Sequence, residues 1–252
     1  MLQSPRRPCN IGNLKIVIND TTLSRIGSNA TEQSTKFLGL YIDEFLTWKH
    51  HIAHVNSKIS RALFVIKQAK NVLPIENLKT LYYALIHPHI SYGILAWGNA
   101  NAGLLKKTTL LQKRALRIIN KASYNSHTEP LFSGSDILKL CDLHKLEIAT
   151  FMYDFDVNKL PSSFNDIFRK NHGTRDVLTR QSNLLYEDRC HSSFASKLPL
   201  YWFPKVWNKW VRTIPNCRSR SQFKRGTKQK LLSQYAITVK CKNRYCRDCF
   251  HV

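Results

Sequence analysis

The 252-residue chain carries 39 Lys and Arg against 16 Asp and Glu, with 43% apolar residues and seven cysteines. Such a length and apolar share support a real core in one large domain or two small ones and exclude disorder throughout. No run of about 18 apolar residues can span a bilayer, the first residues lack the apolar core of a secretory signal, and few, odd-numbered cysteines do not make a disulfide framework; the expectation is a nuclear or cytoplasmic protein with reduced thiols.

Residues 1–12 read as a leader. Leu14 to Ile18 alternates like a strand, Asn19-Asp20 can turn it into Thr22 to Ile26, and Lys36 to Ile42 reads as a further strand, so a meander of two or three strands is expected over 13–43. It is too small to stand alone and must pack on the next part of the chain. Thr47 suits a helix N-cap. Beyond it Trp48, Ile52, Val55, Ile59, Leu63, Ile66, Ala69 and Leu73 recur at steps of three or four, which predicts a long amphipathic helix. Pro74 opens a second helix through Leu78, Leu81, Leu85 and Ile86, interrupted by His87-Pro88. Leu104 to Ala122 predicts a third, and Ser135 is placed to cap a fourth from Ile137 to Phe155, with Pro161 as a stop. Four helices with short connections make a bundle over 44–157. Residues 158–188 turn polar and read as a linker. In 189–252, Tyr201-Trp202-Phe203-Pro204-Lys205-Val206-Trp207 is an aromatic cluster, better read as core than as a stacking platform, and Ser221 begins a basic helix to Tyr235.

Charge is uneven along the chain. Residues 1–188 hold 24 basic and 15 acidic side chains, whereas 189–252 hold 15 basic ones and a single acid, Asp248. A segment so biased repels itself until a polyanion neutralises it, and mixed signs would serve solubility better. Nucleic acid is therefore the favoured partner and a membrane is not. On the helices, Lys49, Lys58, Arg61, Lys67 and Lys70 lie mainly off the first apolar stripe. Lys106, Lys107, Lys113, Arg114, Arg117 and Lys121 occupy the outer side of the third helix. Two long faces of one sign are better explained by a duplex lying across them than by solvation alone.

Other constellations carry less. Cys241, Cys246, Cys249 and His251 form C-x4-C-x2-C-x-H, a donor set suited to zinc, although one residue between the last two is tight for a single ion. An exposed reduced tail is the alternative. Asp154 and Asp156 are two apart on a helix and point to different faces, which rejects a magnesium pair. His50 and His54 are spaced i, i+4 without a carboxylate or thiol beside them and read as polar surface near phosphates. Neither a glycine-rich phosphate loop nor a nucleophile elbow is present.

Collinear blocks between about 36 and 235 carry a resemblance. They are Lys36-Phe37-Leu38-Gly39-Leu40-Tyr41-Ile42-Asp43 with Leu46-Thr47-Trp48-Lys49-His50-His51-Ile52, then Leu81 to Gly93, Ala96-Trp97-Gly98-Asn99, Leu111 to Ile119 and His127-Thr128-Glu129-Pro130-Leu131-Phe132. Leu160-Pro161-Ser162-Ser163-Phe164, Thr174-Arg175, Pro204-Lys205-Val206-Trp207-Asn208 and Phe223-Lys224 complete the series. Together they resemble the region after the catalytic palm in reverse transcriptases of non-LTR (LINE-type, jockey-like) retrotransposons. The resemblance implies that Phe37, Leu38 and Gly39 belong to a primer-grip strand and that the helices from Trp48 onward form a thumb that tracks a template–primer duplex. It also implies that the palm aspartates holding two magnesium ions lie upstream of the matching region, with no counterpart in these residues.

The expected fold is thus mainly α, a small β-meander leading into a thumb-like helical bundle with a basic, loop-rich C-terminal region. The expected function is that of a reverse-transcriptase fragment that binds RNA or DNA and does not polymerise alone, with the rest of a retroelement polymerase as a further partner. Expected contacts are Phe37, Leu38, Gly39, Lys49, Lys58, Arg61, Lys113, Arg114, Arg117, Lys205, Lys224 and Arg225. No cofactor is required, zinc on the cysteine tail stays open, and magnesium enters only if a palm is supplied separately. The competing readings are a helical protein-interaction module and a decayed element's product without selected activity.

Overall fold

The computed structural model describes residues 17–22, 33–171, 184–190, 195–211, 217 and 219–237. The leader 1–12, the strand start at Leu14, Thr174-Arg175 and the cysteine tail lie outside the described residues. The chain is mainly helical, with two small hairpins ahead of a helical bundle.

β1 (Val17–Ile18) and β2 (Thr21–Thr22) pair antiparallel across Asn19 and Asp20, both in the left-handed region at φ 48° and 61°. Two-residue hairpin loops need that conformation, and Asn and Asp tolerate it. The single strand expected over Lys36–Ile42 is instead a second hairpin. β3 (Ser34–Phe37) turns into β4 (Leu40–Asp43), with Phe37 opposite Leu40 and Leu38-Gly39 as the tip, at φ 45° and 83°. Apolar residues run almost continuously from Phe37 to Ile42, so hydrophobicity alone does not show the reversal; the glycine does.

Asp43 then organises the entry to α1 (Lys49–Ala69). Its Oδ1 accepts the Thr47 N–H at 2.9 Å, and its Oδ2 accepts the Trp48 N–H and the Thr47 hydroxyl, each at 3.0 Å. Thr47 is therefore not the N-cap; Trp48 occupies that position at φ 62°. A buried carboxylate serving four donors, the Phe45 N–H at 3.2 Å among them, replaces the expected hydroxyl cap. Ile52, Val55, Ile59, Leu63 and Ile66 form the buried stripe of α1.

α2 (Ile75–Leu85) follows Pro74 and stops at Ile86, because Pro88 lacks the N–H a continuous helix would use. α3 (His87–Ser91) and α4 (Ile94–Trp97) are short and separated by Gly93 at φ 61°. α5 (Ala102–Ile119) is capped by Asn101, whose Oδ1 accepts the Gly103 N–H at 2.8 Å. It packs along α1, where the Thr108 hydroxyl donates to Asn56 Oδ1 at 2.8 Å in the interior.

Ser135 does not cap the fourth long helix. It lies at the C-terminal end of α6 (Glu129–Gly134), and its hydroxyl is taken by the Asn120 amide at 3.0 Å. α7 (Leu140–Asp156) starts five residues later, and the Leu140 N–H is satisfied by Gln112 Oε1 at 2.9 Å. The same buried Gln112 donates to the Tyr82 hydroxyl and the Leu138 carbonyl, so one side chain joins α2, α5 and the start of α7.

Residues 184–187 and the C-terminal helices complete α7's core. Leu185 pairs with Lys170 as an isolated bridge, and Asn208 brackets its backbone, accepting its N–H at 3.0 Å and donating to its carbonyl at 2.8 Å. α8 (Pro199–Val211) buries Phe203, Val206 and Trp207. The aromatic cluster is core at these positions. α9 (Arg220–Ile237) stacks Phe223 on Tyr153 of α7, ring centroids 4.6 Å apart. At its far end the Tyr235 hydroxyl donates to Asp142 at 2.6 Å and accepts the Lys139 N–H at 3.1 Å. No helix among the described residues is long and apolar enough to cross a membrane.

Candidate nucleic-acid interface

The tip of the second hairpin is held from below and exposed above. Phe37 and Leu38 are 60% and 74% exposed, a poor use of apolar surface unless something covers them. Beneath the tip, the Tyr92 hydroxyl donates to the Leu38 carbonyl. A Cβ on Gly39 would stand 3.2 Å from the Tyr92 ring, and one on Gly93 would stand 2.7 Å from Leu40 Cδ2. Two glycines thus let the hairpin and the α3–α4 corner approach each other from both sides.

A positive edge adjoins this tip. His54, Lys58 and Arg61 fall at i, i+4 and i+7 on α1, one stripe of the helix. Tyr41 of β4 packs on His54, ring centroids 5.0 Å apart. Burial lowers the His54 pKa, and the charges of Lys58, Lys36, His89 and Arg61 lower it further. His89 on α3 is lowered by burial and then by the same Lys58 and Arg61. Every charge acting on the two imidazoles is positive, which locates a convergence of cations drawn from β3, α1 and α3. Lys36, Lys58 and Arg61 have no ion-pair partner among the described residues.

The remaining expected contacts are placed differently. Lys49 is exposed but nine residues before Lys58, about half a turn round α1. On α5, Arg114 is exposed and shares a stripe with Lys107, whereas Lys113 is half-buried and Arg117 donates from Nε to the Ser126 carbonyl at 3.0 Å. Asn56, where α1 meets α5, lies about 200° round the helix from Lys58. The bases of α1 and α5 therefore form separate groups rather than one continuous stripe. On α9, Lys224 pairs with Glu147 at 2.8 Å and Arg225 is exposed. Lys205 on α8 borders a separate pocket with other lysines.

His54, His89, Lys36 and Tyr92 were not among the expected contacts. His54 had a signal, the i, i+4, i+7 series with Lys58 and Arg61; the tertiary neighbours Lys36, His89 and Tyr92 had none.

Magnesium does not fit the residues present. Asp154 pairs with Arg220 at 2.7 Å and Asp156 with Lys170 at 2.9 Å, and no group of three His, Cys, Asp or Glu among the described residues could hold a metal ion. Cys241, Cys246, Cys249 and His251 lie outside the described residues.

The sequence has distant relatives. The RNA-directed DNA polymerase from mobile element jockey of Drosophila melanogaster is 28% identical over 135 residues, 52% of this chain and 14% of the relative. The probable RNA-directed DNA polymerase from transposon X-element of the same fly is 23% identical over 137 residues, 53% of this chain and 14% of the relative. About half of this chain is thus similar to part of RNA-directed DNA polymerases. The jockey polymerase of Drosophila funebris extends the set at 27% identity over 111 residues, covering 42% of this chain and 12% of that protein. The matched stretch thus spans about one-seventh of the first two relatives. No family model matches the chain, and no solved structure does.

Proposed function

We propose that this chain is the primer-grip, thumb and post-thumb part of a non-LTR retrotransposon reverse transcriptase, and that it binds a template–primer duplex without polymerising alone. One observation carries the reading: the hairpin tip with exposed Phe37 and Leu38, braced by Tyr92, stands beside Lys36, Lys58 and Arg61, which have no ion-pair partner among the described residues. In this reading the apolar tip rests against the primer end and the cations hold the adjoining phosphates. Such contacts position a duplex without reading its sequence. RNA and DNA are both candidate partners, in nucleus or cytoplasm, and no step of nucleotide transfer is routed through these residues.

Fluorescence polarization with a labelled 20-base-pair primer–template tests the reading. Affinity falls steeply as salt rises from 50 to 200 mM, because each neutralised phosphate releases counterions. Affinity indifferent to salt overturns the electrostatic basis, and primer extension by the purified chain overturns the claim that it does not polymerise alone.

A protein-interaction role has one observation in its favour. Phe64, 64% exposed, and Val65 flank Arg61 in a shallow groove on the outer side of α1. If that role is the selected one, replacing Phe64 by Ser abolishes partner capture and leaves duplex affinity unchanged.

A further inference from the structure

A second positive site is built from other elements than the hairpin edge. Between α7, α8 and α9 a cavity of about 360 Å³ is walled by Lys145, Lys205, Lys209 and Lys230, with Trp202 and Val206 between them. That volume is at the lower end of small-ligand pockets. Among the described residues no carboxylate lines it. Asp142 stands behind Lys145, which it pairs at 2.8 Å, and the same carboxylate accepts from Tyr235. Lys145 is thus offset by Asp142, whereas Lys205 and Lys209 are exposed on α8 and offer their ammonium groups to an anion at the cavity mouth.

Two features make the site more than a phosphate trap. The indole N–H of Trp202 is shut away from solvent and has no acceptor among the described residues, a polar edge left unsatisfied beside the cavity. The Trp202 ring and Val206 add an apolar wall that inorganic phosphate would leave uncovered. Lys205 and Lys209, one turn apart on α8, also border an adjoining cleft containing Asn171, Tyr186 and Glu187. Glu187 there accepts from the Asn208 amide at 2.8 Å. Cavity and cleft share the two lysines, so an extended ligand can cross the ridge between them.

We propose that this cavity binds an unpaired stretch of nucleic acid. One base lies against Trp202 and Val206, its backbone crosses Lys205 and Lys209, and the next nucleotide enters the cleft beside Tyr186. Aromatic surface for bases and ammonium groups for the backbone are the two parts a single-strand site requires. The site is separate from the duplex edge proposed above and does not depend on it.

Polarization on the full chain separates the two sites, with a fluorescein-labelled ten-nucleotide oligothymidylate and a 20-base-pair duplex as probes. Lys205→Gln with Lys209→Gln, both surface changes, weakens the single strand at least tenfold and the duplex less than twofold. Lys58→Gln with Arg61→Gln does the reverse. Unchanged single-strand affinity in the Lys205/Lys209 variant overturns the cavity, and equal losses of both probes in both variants overturn its separateness. A wild-type chain that binds the duplex and ignores the single strand sinks this inference while leaving the duplex edge standing. An abasic oligomer of the same length binds at least tenfold more weakly; equal binding reduces the site to an anion trap and overturns the role of Trp202.

Discussion

The edge around Lys58 and helix α9 are both basic, yet folding treats their charges in opposite ways. On α9, Arg220 pairs with Asp154, Lys224 with Glu147 and Lys228 with Asp136, so acids from 136–154 have come to meet them. Around Lys58 and Arg61 no acid arrives from the described residues; the charges acting on His54 and His89 are all positive. The contrast teaches that a segment's net charge says little about its field. The last quarter carries most of the excess along the sequence, but part of it is spent on docking α9, and the unpaired cations of the first long helix are left to face an anion.

The largest effect expected from conditions that probe both regions comes from pH. His51 on α1 and His144 on α7 are each lowered to about 4, chiefly by burial and secondarily by a positive neighbour, His54 and Lys145 respectively. Their unfolded value is near 6.5, so the unfolded chain takes up protons first. Stability is intact above about pH 6.5 and is lost as pH falls towards 4, by on the order of 2 kcal/mol for each imidazole at pH 5. Urea midpoints at pH 7.5 and pH 5 measure it. A curve flat over that range would mean that neither ring is held neutral.

Next comes the anchor of α9. Tyr235→Phe strips Asp142 of one donor and leaves the Lys139 N–H without its acceptor, costing about 2 kcal/mol. Chemical denaturation should show the loss, with duplex affinity at pH 7.5 nearly unaltered. If affinity collapses while stability holds, α9 belongs to the binding surface and the contrast between the regions is wrong.

Lys58→Gln with Arg61→Gln should weaken the template–primer complex about tenfold, or about 1.4 kcal/mol. The slope of log affinity against log salt should flatten by about two phosphate contacts. Stability should scarcely move, because neither side chain has an ion-pair partner to lose among the described residues. The smallest effect belongs to Lys224→Gln. Its half-exposed pair with Glu147 contributes well under 1 kcal/mol, and affinity should change less than twofold. A tenfold loss there would reverse the ranking of the two regions.

Long helices were legible in the sequence because their apolar residues repeat over several turns, as Ile52 to Ile66 do in α1. The short ones were not: α6 spans Glu129–Gly134, too few residues to display a period, and its Ser135 therefore looked like the start of α7. The expected strand at Lys36–Ile42 failed for a related reason, since the two-residue turn at Leu38-Gly39 lies inside a near-continuous apolar run with no polar break to mark it. For the site, Lys58 and Arg61 could be read from spacing and the Leu38-Gly39 tip from resemblance. Lys36 and His89 could not, because what gathers them is the packing of α3 and of β4, the strand paired with β3, on α1. Ion pairs such as Lys228 with Asp136 join residues 92 positions apart and leave no local trace.

The paired notches at Gly39 and Gly93 have a consequence for how this region can diverge. Each glycine is matched to the bulk of one opposing residue, Gly39 to Tyr92 and Gly93 to Leu40. Both also hold a positive φ, 83° at Gly39 and 61° at Gly93, which strains any other residue whatever space is cleared opposite it. Shrinking Tyr92 or Leu40 relieves only the crowding, so an aligned set of descendants should keep both glycines while the residues facing them vary, and that asymmetry would be the record of the tip's mounting.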